Sequence, residues 1–107
     1  MSSGVSVEDF LAGMSPEARA MMQRLRRLIR DVHPAVVERA VPAARCIRYF
    51  AGERSGGVPV LDLSPDGDQV LLGFERERQL RIKASGAFDE PYYRGLMEAA
   101  FSQHREH

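Results

Sequence analysis

The segment from Ser15 to His33 constrains the fold more than any other part of the chain, because it can satisfy its hydrophobic pattern in only one way. Ala18, Met21, Met22, Leu25, Leu28, Ile29 and Val32 recur at spacings of three and four. At 100° per residue they fall within an arc of about 120°, the width of stripe a helix buries against a core. Ser15 is a cap for the first turn, and Pro16 follows at the first helical position, where its missing N–H costs nothing. Pro34 ends the run, since proline restricts the residue before it and cannot continue the hydrogen-bond ladder. Along one edge of the stripe lie Arg19, Arg26 and Arg30 with Gln23 among them, and Arg24 and Arg27 lie further round. His33, at the end of the helix, is placed to meet its last carbonyls.

Before this helix, Val7 to Leu11 forms a short helical turn. Ser6 with Glu8 and Asp9 supplies its start signal, and Gly13 ends it. Residues 1–6 are small and polar and read as a disordered N-terminus. After Pro34 the periodicity changes. Val36 to Val41 suits a strand through its valines but could extend a helical turn, and Pro42 ends it in either case. Arg45 to Ala51 then alternates, Arg45, Ile47 and Tyr49 against Cys46, Arg48 and Phe50. A Gly/Ser turn from Gly52 to Gly57 separates it from a strand at Val58 to Leu63. Pro65-Asp66-Gly67-Asp68 is a turn in which proline fixes φ and glycine permits φ > 0. Gln69 to Phe74 is the next strand, Glu75 to Arg78 a solvated connection, and Gln79 to Lys83 a strand with Leu80 and Ile82 inward. Asp89 caps a C-terminal helix whose stripe is Tyr93, Leu96, Met97, Ala100 and Phe101.

Helices flanking one run of strands give an α+β class. The expected architecture is a two-layer sandwich. An antiparallel sheet of about four or five strands carries the N- and C-terminal helices on one face, in a single domain over residues 7–104. The chain has 107 residues, sufficient for one core. It contains no run of 18 apolar residues and no secretory pattern in its first fourteen, so the expected location is cytoplasmic without a membrane partner.

Signatures of chemistry are sparse. A lone cysteine and three scattered histidines provide no metal-ligand spacing. There is no nucleophile elbow, phosphate loop or dinucleotide fingerprint, and neither a cofactor nor an enzymatic activity is expected. Cys46 reads as a buried structural thiol. With 15 basic and 15 acidic residues the net charge is zero, which opposes general nucleic-acid binding. Fourteen of the basic residues are arginine, spread over the whole chain. Glu38, set among apolar residues, is expected to pair with an arginine such as Arg39, Arg45 or Arg48, and Asp62 to face water by alternation. The remaining candidate site is the sheet face away from the helices. Arg81 and Lys83 would stand there with Arg45 or Arg48, and Tyr49 would share its face with Arg45. Such a face either keeps the sheet soluble or binds an anion with aromatic support.

The stretches Val7-Glu8-Asp9-Phe10-Leu11, Ser15-Pro16-Glu17 with its helix, and Val32-His33-Pro34 leading to Val37-Glu38-Arg39 resemble the YdhG-like family, a bacterial domain of unknown function. So do Val60 to Pro65, Val70 to Arg76, and Arg81-Ile82 followed by a helix ending in Ala99-Ala100, which extends the resemblance over residues 7–101. It implies a two-layer α/β fold and brings no catalytic residues. The connection from Phe74 to Arg81 lacks the glycine-containing insertion that members of the family often carry. Some members are linked to frataxin-like iron chaperoning, which uses carboxylate oxygens. The main helix here sets Glu17 and Asp31 against five arginines.

Three functional expectations follow. The first is a non-enzymatic module that binds a small anionic ligand or a protein partner through Arg45, Arg48, Arg81 and Lys83, with Glu38 and Tyr49 beside them. The second is an iron-binding protein using Asp66, Asp68, Glu75 and Glu77. The third is a homodimer or scaffold whose Arg19, Arg26 and Arg30 flank meets an acidic partner.

Overall fold

A computed structural model describes residues 6–52, 58–74, 78–83 and 87–105. The elements are α1 (Val7–Ala12), α2 (Pro16–Val32), β1 (Val37–Val41), β2 (Cys46–Phe50), β3 (Leu61–Asp66), β4 (Gln69–Phe74), β5 (Arg78–Lys83) and α3 (Glu90–Arg105). The strands form one antiparallel meander in the order β1-β2-β3-β4-β5. This is the α+β arrangement read from the sequence, with five strands.

Local chemistry sets the helix starts. The Ser6 and Ser15 hydroxyls accept from the Asp9 and Ala18 amides at 3.0 and 3.2 Å. Asp89 accepts from the Tyr92 amide at 3.3 Å, ahead of Pro91 in the first turn of α3. Each cap satisfies a backbone donor that the helix itself leaves unpaired.

Cross-strand register separates the two faces of the sheet. Ile47 stands opposite Leu63, Leu63 opposite Leu72, and Leu72 opposite Leu80. Tyr49 likewise faces Leu61, and Val70 faces Ile82. These residues pack with Leu11 of α1, with Met22, Leu25 and Ile29 of α2, and with Met97 and Phe101 of α3 in one core. Burying each such side chain contributes about 1.5–3 kcal/mol. The helices therefore cover a single face, and the opposite face is formed by the alternate residues.

Four local readings are refined. Val36 to Val41 resolves into β1, and Pro42 opens a short 3-10 turn after it. β3 runs later than its valine-rich start suggests, through Pro65 to Asp66. Pro65 lies beyond the residues of β3 that β2 pairs with, a place where a sheet tolerates a missing N–H. The turn after it shrinks to Gly67-Asp68, since Asp66 already pairs with Gln69. Gly67 has φ +63, as a glycine-led two-residue hairpin requires. β5 takes in Arg78. The expected disordered N-terminus, apart from Ser6, and most of the Gly52–Gly57 turn lie outside the described residues.

Candidate functional site

The six residues singled out from the sequence do not assemble at one place. Glu38 and Tyr49 stand opposite each other on β1 and β2, on the side covered by helices. Arg48, Arg81 and Lys83 project from the open face. Arg45 belongs to neither group: it is exposed and closes the 3-10 turn in the left-handed conformation, φ 55. Tyr49 thus shares its face with Glu38 rather than, as expected, with Arg45.

On the covered side the arginine flank of α2 reaches its partner. Arg26 is only 4% exposed. It donates from Nε to Glu38 Oε2 and from Nη2 to Glu38 Oε1, both at 2.8 Å. Its Nη1 donates to Gln23 Oε1 at 2.9 Å, and Glu8 of α1 approaches Nη2 at 3.5 Å. Arg30 adds a 2.8 Å bond to Glu38 Oε1, and the Tyr49 hydroxyl donates to Oε2 at 2.6 Å. Each carboxylate oxygen therefore accepts two donors. Burial pushes the Glu38 carboxyl up most strongly, but the bonds from Arg26 and Tyr49 and the charges of Arg26 and Arg30 together hold it below its usual range. Tyr49 is pushed far up, first by burial and then by its bond to Glu38, so its proton stays in place.

Two sequence expectations are corrected here. Glu38 pairs with Arg26 and Arg30 rather than with Arg39, Arg45 or Arg48, because strand alternation turns Glu38 toward α2. For Arg26 and Arg30, the acidic partner expected on another molecule lies in the same chain. With its lone pairs taken, the network joins α1, α2, β1 and β2 structurally and offers a substrate nothing.

His33 also differs from its reading. Its backbone amide bonds to Ile29, but its ring donates from Nε2 to the Ala51 carbonyl at 2.7 Å and stacks on Phe101 at 4.6 Å. The ring so links the end of α2 to the residue that follows β2 and to α3.

On the open face Arg39 and Arg48 occupy directly opposed positions, and Asp62 stands opposite Arg48 on the other side. The Arg39 guanidinium lies 5.7 Å from the centre of the Phe50 ring. Arg81 bonds to Asp66 and, at 3.2 Å, to Gln69. From β2 to β5 there are three strand spacings, about 14 Å. Arg48 is consequently separated from Arg81 and Lys83 by more than a small anion spans. Between them lie half-buried Leu71 and Asp62, whose carboxyl is pushed up by burial and drawn back in part by Arg48. Cys46 is buried beside them, and burial followed by the Asp62 charge raises its thiol, which stays protonated at neutral pH. Asp62 is thus only partly turned to water.

Among the described residues no group of three or more histidine, cysteine or acidic side chains is placed to hold a metal ion. Of the acids considered for iron, Asp66 is paired with Arg81, Asp68 lies exposed in the hairpin turn, and Glu75 and Glu77 lie outside the described residues. No helix among the described residues is long and apolar enough to cross a membrane. Comparison with protein-family models, curated proteins and solved structures finds no match.

Proposed function

We propose that this chain is a non-enzymatic, cytoplasmic binding module whose open sheet face docks on an acidic protein surface. The observation that carries this reading is the direct opposition of Arg39 and Arg48 on neighbouring strands. Like charges placed so repel each other, and a partner carboxylate between them turns that repulsion into attraction. Arg81 and Lys83 supply a second cationic strip at the far edge. The distance between the strips suits a macromolecular surface and excludes one small anion held by both. Four cations against Asp62 and Asp66 leave the described part of this face net positive. The exposed Arg81–Asp66 pair is worth little by itself, so Arg81 exchanges partners at low cost.

Membership of the YdhG-like family belongs to the same proposal. The stretches that carry the resemblance fall mainly on α1, α2, β3 and β4, which pack the domain, and this accords with a module free of catalytic groups.

The test is a titration of the 15N-labelled protein with poly-L-glutamate, read by amide shifts. Shifts should map to the open face of β1, β2 and β5, weaken as salt rises, and vanish in the Arg39→Glu, Arg48→Glu double variant. Shifts confined to the helical layer, or unaltered by the double substitution, would overturn the reading.

A further inference from the structure

A second cationic feature lies on the other side of the molecule. α2 and α3 border an open hollow of about 360 Å³, lined by Arg24, Arg27, Leu28 and Asp31 from α2 and by Glu90 and Arg94 from α3. At 100° per residue Arg24 and Asp31 fall on the flank of the apolar stripe opposite Arg26, so this hollow is distinct from the Glu38 network.

The charges within it are divided unequally. Both carboxylates go to one arginine: Asp31 meets Arg94 at 2.7 Å and Glu90 meets it at 3.3 Å. Those bonds raise the Arg94 guanidinium further, Asp31 contributing most. Arg24 and Arg27 have no carboxylate within ion-pair distance among the described residues. Arg24 is nevertheless held in place, its guanidinium 4.5 Å above the centre of the Phe88 ring. Phe88 is in turn stacked on Tyr93 at 5.1 Å. A cation fixed in this way gives up less rotational freedom when it meets a ligand.

We propose that this hollow is a binding site for the phosphomonoester of a small metabolite. Arg24 and Arg27, less than one helical turn apart, receive the phosphate dianion as charge-assisted donors. Leu28, buried at the floor, takes the carbon skeleton. The volume falls at the lower end of the range for small-molecule sites and exceeds what a bare phosphate fills. Arg94, bridged to Asp31 and Glu90, holds α3 against α2 and keeps the walls in register. The site shares no residue with the open sheet face, so it stands or falls independently of the acidic-partner reading.

The experiment is a titration of the full-length 15N-labelled protein with glycerol 3-phosphate, following the arginine Nε–H signals and the backbone amides. Saturable shifts are expected at Arg24, Arg27 and the first turns of α3, with acetate producing none. Both arginines are exposed, so the Arg24→Gln, Arg27→Gln variant should keep its far-UV spectrum and bind at least about tenfold more weakly. Absence of saturation by about 10 mM would overturn the site. So would equal shifts with acetate, unchanged affinity in the double variant, or shifts restricted to β1, β2 and β5.

Discussion

Arg26 and Glu38 meet in a two-pronged ion pair, Nε to Oε2 and Nη2 to Oε1 at 2.8 Å, which fixes α2 to edge strand β1. The guanidinium has little contact with water, and the carboxylate has only slightly more. A desolvated pair of this kind is stable only as long as both members and their remaining hydrogen bonds are present. Gln23, Arg30 and Tyr49 provide those bonds. This geometry sets α2 across the sheet at one position, since a shift of either element by one residue would strand both charges.

Removal of one member should therefore cost far more than removal of both. Glu38→Ala leaves Arg26 charged and buried, and we expect a loss of about 3–5 kcal/mol in urea unfolding. Arg26→Met combined with Glu38→Leu should recover most of that loss. A double variant no more stable than Glu38→Ala would show that the network does more than satisfy its own charges.

The same pair determines how the fold responds to acid. Glu38 is held below its ordinary 4.5, so it binds protons more weakly folded than unfolded. Its contribution is fully present above the unfolded value and disappears as pH falls through the folded one. Midpoints of thermal unfolding should drop on acidification below about 4.5. In Glu38→Gln, already less stable at neutral pH, that part of the decline should be missing.

The sheet was legible in the sequence because alternation and turn chemistry are local. Leu80 and Ile82 announce an inward face, and Gly67 announces a hairpin, with no knowledge of the rest of the molecule. The partner of Glu38 was not legible in that way. Arg26 stands twelve positions earlier on another element, and only the tertiary packing of α2 on the sheet selects it over the nearer Arg39. A signal did exist: three arginines and Gln23 crowd the edge of a stripe destined for burial, which calls for an acid from whatever the helix packs on. The position of β3 escaped for a different reason. Pro65 looks like a strand terminator until the shortness of the β2–β3 ladder leaves its missing N–H without consequence.

Arg45 occupies a backbone conformation that disfavours its side chain. With φ 55 it is the non-glycine residue in the left-handed region among those described, and it closes the 3-10 turn through a 3.0 Å bond to Pro42. Arg45→Gly relieves the crowding of its Cβ, although it frees the unfolded chain as well. A net gain of about 0.5–1 kcal/mol is expected. Since Arg45 belongs to the turn and not to the opposed Arg39 and Arg48 positions of the sheet, poly-L-glutamate binding should be unchanged, and a weakened titration would place Arg45 in the interface.

Gly73 and Asp62 form a fitted pair across β3 and β4. A Cβ on residue 73 would come within 2.6 Å of Asp62 Oδ1. Gly73→Ala should displace the carboxylate and destabilise the protein, while in an Asp62→Ala background it should be neutral or favourable, since alanine suits a strand better than glycine. The thermodynamic cycle should give a coupling of about 0.5–3 kcal/mol. Additive effects would mean that the two residues do not touch in solution.

The charge on Asp62 should work against the fold, opposite in sign to Glu38. Burial raises its carboxyl above the ordinary 3.8, and the nearby Arg48 offsets only part of the rise. A group raised by folding contributes stability that is present below its unfolded value and lost as pH climbs through the folded one. At neutral pH the ionised Asp62 is thus a standing penalty. Asp62→Asn keeps the shape that fits over Gly73 and removes the charge, so it should raise the unfolding midpoint at pH 7. That advantage should shrink as pH falls through the raised value of the folded protein toward the ordinary 3.8, below which the native side chain is protonated folded and unfolded alike. Loss of stability in Asp62→Asn at pH 7 would instead mean that attraction between Asp62 and Arg48 outweighs the burial of the charge. In that case Arg48 would already have its counter-ion within the sheet, and the acidic partner would have to be drawn by Arg39, Arg81 and Lys83.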